Sequence, residues 1–286
     1  MLSAYAEATG HDPRTFNIIM GTSSGSVISA LLGGGIGVDE LVEAQQQERV
    51  CIAGGEWRHG GATPPMPKTQ WPSAQLIKLG LNGKASTLTA LSGLLPQGQQ
   101  DLSPMIRMVE GVCDETGWVK HPNTWVMAVD AASGERVAFG SKSAPHCAMG
   151  DAVRASYAVP GWCPSVNIQG REYIDGGVVS PTSADLLMGK DIDEVVIIPP
   201  MVSRQLDRPR HPFAKVERLL RKTMTQRVNE EEADLVSAGI QVTRLEPTPE
   251  DLNAFGYNMM DPARRRLVFD TAMRTSPRVV KAAGLA

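Results

Sequence analysis

No stretch of this 286-residue sequence is apolar for the roughly 18 residues that a membrane-spanning helix requires. Its start lacks the basic and apolar blocks of a secretory signal, so the expectation is a cytoplasmic chain. Cysteine is sparse: Cys51, Cys113, Cys147 and Cys163 are widely spaced, with no CxxC pair and no histidine at metal-ligand spacing. That argues against a zinc ribbon or a disulfide framework; the four are read as reduced thiols, and no metal or cofactor is expected. Neither sign of charge dominates. A formal net charge of −3 gives no global attraction to nucleic acid or anionic lipid. No nucleic-acid partner is therefore expected, and peripheral contact with a membrane would have to come from a local patch.

What the chain does have is apolar content, 42% of its residues, enough to bury one large core. A single domain over residues 1–286 is expected. Met1 to Gly10 opens in mid-helix pattern with no capping residue ahead of it. Thr15 to Met20 reads as a short buried strand, Ser24 to Leu32 as the helix it feeds, and Val38 to Val50 as a second helix. Gly54 to Pro72 is crowded with glycine and proline, holds Trp57 and Trp71, and reads as a surface loop or lid whose tryptophans line an apolar entrance. Helical patterns follow at Ala74 to Leu81 and Pro104 to Cys113. Strands come next at Thr124 to Val129 and Arg136 to Phe139, separated by a turn at Asp130 to Gly134. A helix over Ala148 to Tyr157 leads to a hairpin, Val166 to Ile174, turning at Gln169-Gly170. Strands at Glu194 to Ile198 and Gln241 to Leu245 flank a long helix at 213–236, and a helix from Pro262 closes the chain. Strands alternating with helices predict an α/β fold with a mostly parallel sheet covered on both faces.

Chemistry concentrates in two places. Gly21-Thr22-Ser23-Ser24-Gly25 lies where an apolar run turns into a helix. A serine on such a corner is held with its hydroxyl exposed over the positive end of the helix, as a nucleophile requires. With this much glycine a GxSxG pentapeptide arises by chance roughly 0.2 times, so its position between strand and helix carries the reading, against a structural glycine turn. Asp175-Gly176-Gly177 follows the later hairpin. Glycines after the aspartate let main-chain N–H groups orient its carboxylate while leaving room for a hydroxyl. A carboxylate at its ordinary pKa is a feeble base at neutral pH, so Asp175 is predicted to be buried against Ser23.

Other features have blander alternatives. A Ser–acid–His triad would need a histidine after Asp175, and only His211 qualifies; it sits in a proline-flanked polar stretch that reads as a solvated loop. His11, His59, His121 and His146 lack partner spacing. Arg204, Arg208, Arg210, Lys215, Arg218, Arg221, Lys222 and Arg227 surround Phe213, Val216, Leu219, Leu220 and Met224 at helical spacing. This is either a membrane-surface helix or a core-facing apolar stripe with a solvated charged back, and the Glu230-Glu231-Glu232 run favours the second. A phosphate-cradling role for Gly21–Gly25 lacks the Gly-Lys-Ser/Thr ending and the GxGxxG spacing.

Phe16 to Leu32, together with Val153-Arg-Ala-Ser-Tyr-Ala-Val-Pro-Gly161 running on through Tyr173-Ile-Asp-Gly-Gly-Val178, resembles the patatin-like phospholipases, acyl hydrolases that use a Ser-Asp dyad. The similarity covers most of residues 1–200. It implies a three-layer α/β/α sandwich, Ser23 as nucleophile, Asp175 as general base, backbone at Ser24, Gly176 and Gly177 as oxyanion or orienting groups, and a lipid or ester substrate with no cofactor. Members of the family open with a strand and a Gly-rich loop carrying a basic residue, and no such segment precedes Ser23 here. Leu2 to Gly10 is expected to be the end of the helix that follows that loop, with Met1 standing at an internal valine codon read as a start. The oxyanion would then be left to the Ser24 N–H and the helix end, and losing one donor costs on the order of 100-fold to 1000-fold in rate. The alternative is a catalytically impaired relative with an interaction or regulatory role.

Overall fold

The computed structural model describes residues 1–47, 49–52, 55–58, 101–205, 212–256 and 261–285. Helices and strands alternate in an α/β pattern, and the chain divides into two compact units: Phe16–Val179, and Met1–Thr15 with Ser180–Ala286. Helix α1 (Leu2–Thr9) opens the second of these and ends at Gly10 in the left-handed conformation.

In the unit Phe16–Val179, β1 (Ile19–Thr22) feeds α2 (Ser24–Gly33). The strand starts later than the apolar run suggested, because Pro13–Thr15 forms a 3-10 turn ahead of it. Helix α3 (Val38–Gln46) is shorter than expected: Gln47 turns to extended backbone, and β2 (Arg49–Ile52) pairs antiparallel with β3 (Gly55–Arg58). Helix α4 (Ser103–Glu110) precedes β4 (Thr124–Asp130), whose seven residues are all buried. The β-branched and apolar run Thr124-Trp-Val-Met-Ala-Val129 suits a strand covered on both faces. Strand β5 (Arg136–Phe139), helix α5 (Met149–Ser156) and the hairpin β6 (Val166–Ile168) and β7 (Arg171–Asp175) complete the unit.

Its five-stranded sheet is mixed, which corrects the expectation of a mostly parallel one. Only β1 and β4 run parallel; β4–β5, β4–β7 and β6–β7 are antiparallel. Tight turns at Ala131–Glu135 and Gln169–Gly170 leave no chain for a crossover, and a short connection returns a strand antiparallel.

The unit Met1–Thr15 with Ser180–Ala286 holds β8 (Glu194–Ile197), α6 (Pro212–Ser237), β9 (Gln241–Arg244), α7 (Pro249–Phe255) and α8 (Arg265–Ala282), with β8 and β9 parallel. Helix α7, which opens with a capping box between Thr248 and Asp251, had no counterpart in the sequence reading. Helix α6 departs from the expected apolar stripe at Leu219 and in its charged residues; Leu220 and Met224 are half-buried, and the side chains of Phe213 and Val216 lie outside the described residues. Glu217, Arg218 and Arg221 are buried, whereas Leu219 is 66% exposed. Charge can face inward here because it is matched. Arg221 donates Nε and Nη2 to Glu217 Oε1 at 3.0 and 2.8 Å and Nη1 to the Pro200 carbonyl at 2.8 Å, and Arg218 Nη2 donates to the Leu252 carbonyl at 3.0 Å.

Of the stretch 54–72 only the backbone of Gly55–Arg58 is described. The expected lid, the side chains of Trp57 and Cys51, Trp71, the helical pattern at 74–81, His59 and His211 lie outside the described residues.

Candidate active site

Strand register brings the two motifs together. β5 pairs with Val126 to Val129 along one edge of β4, so β1 and β7, which overlap that span, must both lie on the other. There β1 runs parallel to β4 and ends with Thr22 opposite Met127, while β7 runs antiparallel and ends with Asp175 opposite Ala128. The C-terminal ends of β1 and β7 therefore abut at adjacent positions of one buried strand, and the residues that leave them are Ser23 and the Asp175 turn.

Ser23 has φ 54° and ψ −123°, a left-handed conformation for a residue with a side chain. Such backbone costs about 1–3 kcal/mol and persists only where the surroundings hold it. They do so through buried hydroxyls. The Ser23 N–H donates to Ser156 Oγ at 2.9 Å, and the Ser23 carbonyl accepts from Ser26 Oγ at 2.6 Å and from the Ser26 N–H at 2.9 Å. Gly21 makes the turn possible: a Cβ there would lie 2.1 Å from the Gly25 carbonyl oxygen. A Cβ on Gly25 would meet nothing within 4 Å, so the space above the turn is open. Ser24, exposed, starts α2, whose first N–H groups have no intrahelical acceptor.

Asp175 is buried, 3% exposed. Its N–H donates to the Ala158 carbonyl at 3.1 Å, and its Oδ1 accepts the Gly177 N–H at 2.7 Å. Gly176 lets the turn press against the sheet, since a Cβ there would lie 2.9 Å from the Met127 carbonyl oxygen. Burial pushes the Asp175 carboxyl up to about 6, against the smaller opposing pull of hydrogen bonding from the Ser23 hydroxyl and the Gly177 N–H. Asp175 Oδ2 is buried with no partner of full geometry among the described residues. The Ser23 hydroxyl lies near enough to pull the Asp175 pKa down, yet short of a hydrogen bond of full geometry. The charge of Asp175 is also felt at Tyr157 and Cys163. Burial raises both of their pKa values, that of Cys163 to about 11, and the Asp175 charge adds to each rise. Both stay neutral at pH 7, so the basicity of Asp175 comes from desolvation.

The structure thus places Ser23, Ser24, Asp175, Gly176 and Gly177, the candidates named from the sequence, at one end of the sheet. It adds Ser156, which sequence reasoning passed over inside a segment that it quoted. Among the described histidines, His11 and His146 are exposed, and His121 joins the Phe16 carbonyl at 2.7 Å to Thr124 Oγ1 at 3.2 Å. No group of three or more His, Cys, Asp or Glu among the described residues is placed to hold a metal ion. A cavity of about 160 Å³ lined by Asp101, Leu102, Ser103, Arg154 and Pro164 includes neither Ser23 nor Asp175.

A comparison with curated proteins finds no match. A family model for patatin-like phospholipases matches residues 4–188, well over half of the chain, and takes in both the Ser23 turn and the Asp175 turn. The chain belongs to the patatin-like phospholipase family.

Proposed function

We propose that this protein is a lipid acyl hydrolase working through a Ser23-Asp175 dyad and an acyl-enzyme. The family suggests hydrolysis of lipid esters. The observation that carries the dyad is a strained, half-buried Ser23 beside a buried carboxylate raised to about 6. Ser23 Oγ attacks the ester carbonyl and its proton passes to Asp175; the tetrahedral intermediate collapses, and protonated Asp175 returns the proton to the departing alkoxide. Water then attacks the acyl-serine, Asp175 takes its proton, and Ser23 leaves reprotonated as the carboxylic acid departs. The Ser24 N–H and the start of α2 stabilise the oxyanion, and the Gly176-Gly177 turn fixes the carboxylate.

The expected three-layer arrangement, one domain over 1–286 and a cytoplasmic setting belong to this same reading. So does peripheral contact with lipid, supported by Leu219 standing exposed between the exposed Lys215 and Lys222 on α6. The experiment is hydrolysis of p-nitrophenyl esters by the chain beside Ser23→Ala and Asp175→Asn. Turnover lost in both folded variants supports the dyad. Turnover that survives either substitution overturns it, and a folded protein inert on all esters favours the non-catalytic alternative.

A further inference from the structure

The end of α5 touches both halves of the dyad. Ser156, its last residue, is fully buried and accepts the Ser23 N–H on its Oγ at 2.9 Å. Ala158, two residues on, offers its carbonyl to the Asp175 N–H at 3.1 Å. One short stretch of chain therefore holds the main chain of both proposed catalytic residues. Ala158 is itself 1% exposed, and the helix behind it is packed along its length, with Met149, Ala152, Val153 and Ala155 all fully buried. A rigid mount of this kind sets a distance.

Resting on the hydrolase reading, the geometry points to Ser156 as a positioning residue, one that fixes the strained Ser23 turn at its working distance from Asp175. Two facts single it out from an ordinary core serine. Its Oγ accepts from the residue whose φ of 54° must be held against its own strain. The chain that carries it also anchors the base through the Ala158 carbonyl, so deleting the Ser156 hydroxyl releases Ser23 while Asp175 stays held, which changes the separation of the pair. The Ser23 N–H lies at the start of α2, where no intrahelical acceptor exists, and nothing in the helix replaces Ser156 Oγ if it is removed. Ser156 does not touch substrate in this scheme; it acts through Ser23.

The test compares wild type with Ser156→Ala and Ser156→Cys, the second keeping the side-chain shape at a slightly larger volume while weakening the acceptor, so that it carries the measurement where the alanine variant fails to fold. Three readouts separate positioning from plain support. On p-nitrophenyl butyrate, kcat should fall on the order of 100-fold, the cost of a misplaced reacting group, with KM within about threefold. The rate of covalent labelling by a fluorophosphonate should fall in parallel, because labelling reports the reactivity of Ser23 alone. The acid limb of kcat/KM should move above about 6 as the carboxylate loses the Ser23 hydroxyl, with Tyr157 and Cys163 neutral across that range. A folded Ser156 variant with lower Tm but wild-type kcat, labelling rate and acid limb overturns the inference while leaving the dyad intact. A wild-type chain that neither labels nor turns over overturns the hydrolase reading, and the inference with it.

Discussion

Two buried carboxylates in this protein face opposite fates. Glu231, in the unit containing α6, is fully buried and fully occupied. Thr182 Oγ1 and the Ala184 N–H donate to its Oε2 at 2.5 and 3.0 Å, the Ser180 hydroxyl adds a further hydrogen bond, and Arg227 Nε lies 3.2 Å from its Oε1. Asp175, in the other unit, has one strong donor, the Gly177 N–H, and a second oxygen left bare beside a serine hydroxyl. Burial raises the pKa of both. The difference is what remains for chemistry. A carboxylate whose lone pairs are all taken is a staple between chain segments, whereas one with a free, desolvated oxygen can accept a proton.

Removing each charge in turn sharpens the contrast, and the largest effect falls on activity. Under the proposed hydrolase reading, Asp175→Asn should lower kcat by about 1000-fold or more on any ester the protein turns over, and Ser23→Ala should do the same; steady-state kinetics on a p-nitrophenyl ester is the check. Glu231→Gln should leave kcat within about twofold, and a large loss there would break the distinction. Below these stands the 100-fold effect expected of the Ser156 variants.

The pH dependence is next in size. Asp175 must be ionised to act as base, so kcat/KM should rise with pH through a limb near about 6 and fall away below it. A limb near pH 4 would mean that burial does not tune this group.

Stability should respond to a different extent at the two sites. With its pKa raised from 3.8 to about 6 on folding, Asp175 binds a proton more tightly in the native state than in the unfolded one. Its contribution to stability therefore falls as pH rises from about 4 to about 6, and above that window the fold carries the whole cost of the buried charge. Asp175→Asn removes that cost and keeps an acceptor for the Gly177 N–H. It should raise stability by about 1–3 kcal/mol at pH 8, with little change at pH 4. Glu231→Gln also relieves a buried charge at pH 8, since burial raises its pKa too, but it takes the buried partner from Arg227, so its gain should be smaller than that of Asp175→Asn. Thermal melts of both variants at the two pH values give the comparison directly, and a destabilised Asp175→Asn at pH 8 would contradict it.

The smallest effect lies on the outer face of the helix that holds Glu231. If exposed Leu219 and its flanking lysines rest on lipid, Leu219→Glu should weaken co-flotation with anionic vesicles by about tenfold or less, leaving hydrolysis of a soluble ester unchanged. Equal flotation of both proteins would remove α6 from the membrane reading.

Ser23 and Asp175 were legible in the sequence because their local chemistry is self-announcing: small residues at a strand-to-helix corner, and glycines after an aspartate at the end of a hairpin. Ser156 was not. A serine that serves as acceptor for a distant backbone N–H looks like any other small helix residue until the two segments are seen together. The mixed sheet was hidden for a related reason, since hydrophobic runs identify strands and say little about their partners. The short turns before β5 and β7 were in fact the better guide to direction. Helix α6 misled because amphipathic patterns assume that charge goes outward. Glu217, Arg218 and Arg221 satisfy one another and nearby carbonyls instead, which frees Leu219 to face water.

The most direct test of the account is the site of covalent modification. After reaction with a fluorophosphonate, mass spectrometry of the intact chain and its peptides should find one adduct, on Ser23, absent from Ser23→Ala and formed far more slowly in Asp175→Asn. An adduct on another residue, or undiminished labelling of the Asp175 variant, would contradict the dyad.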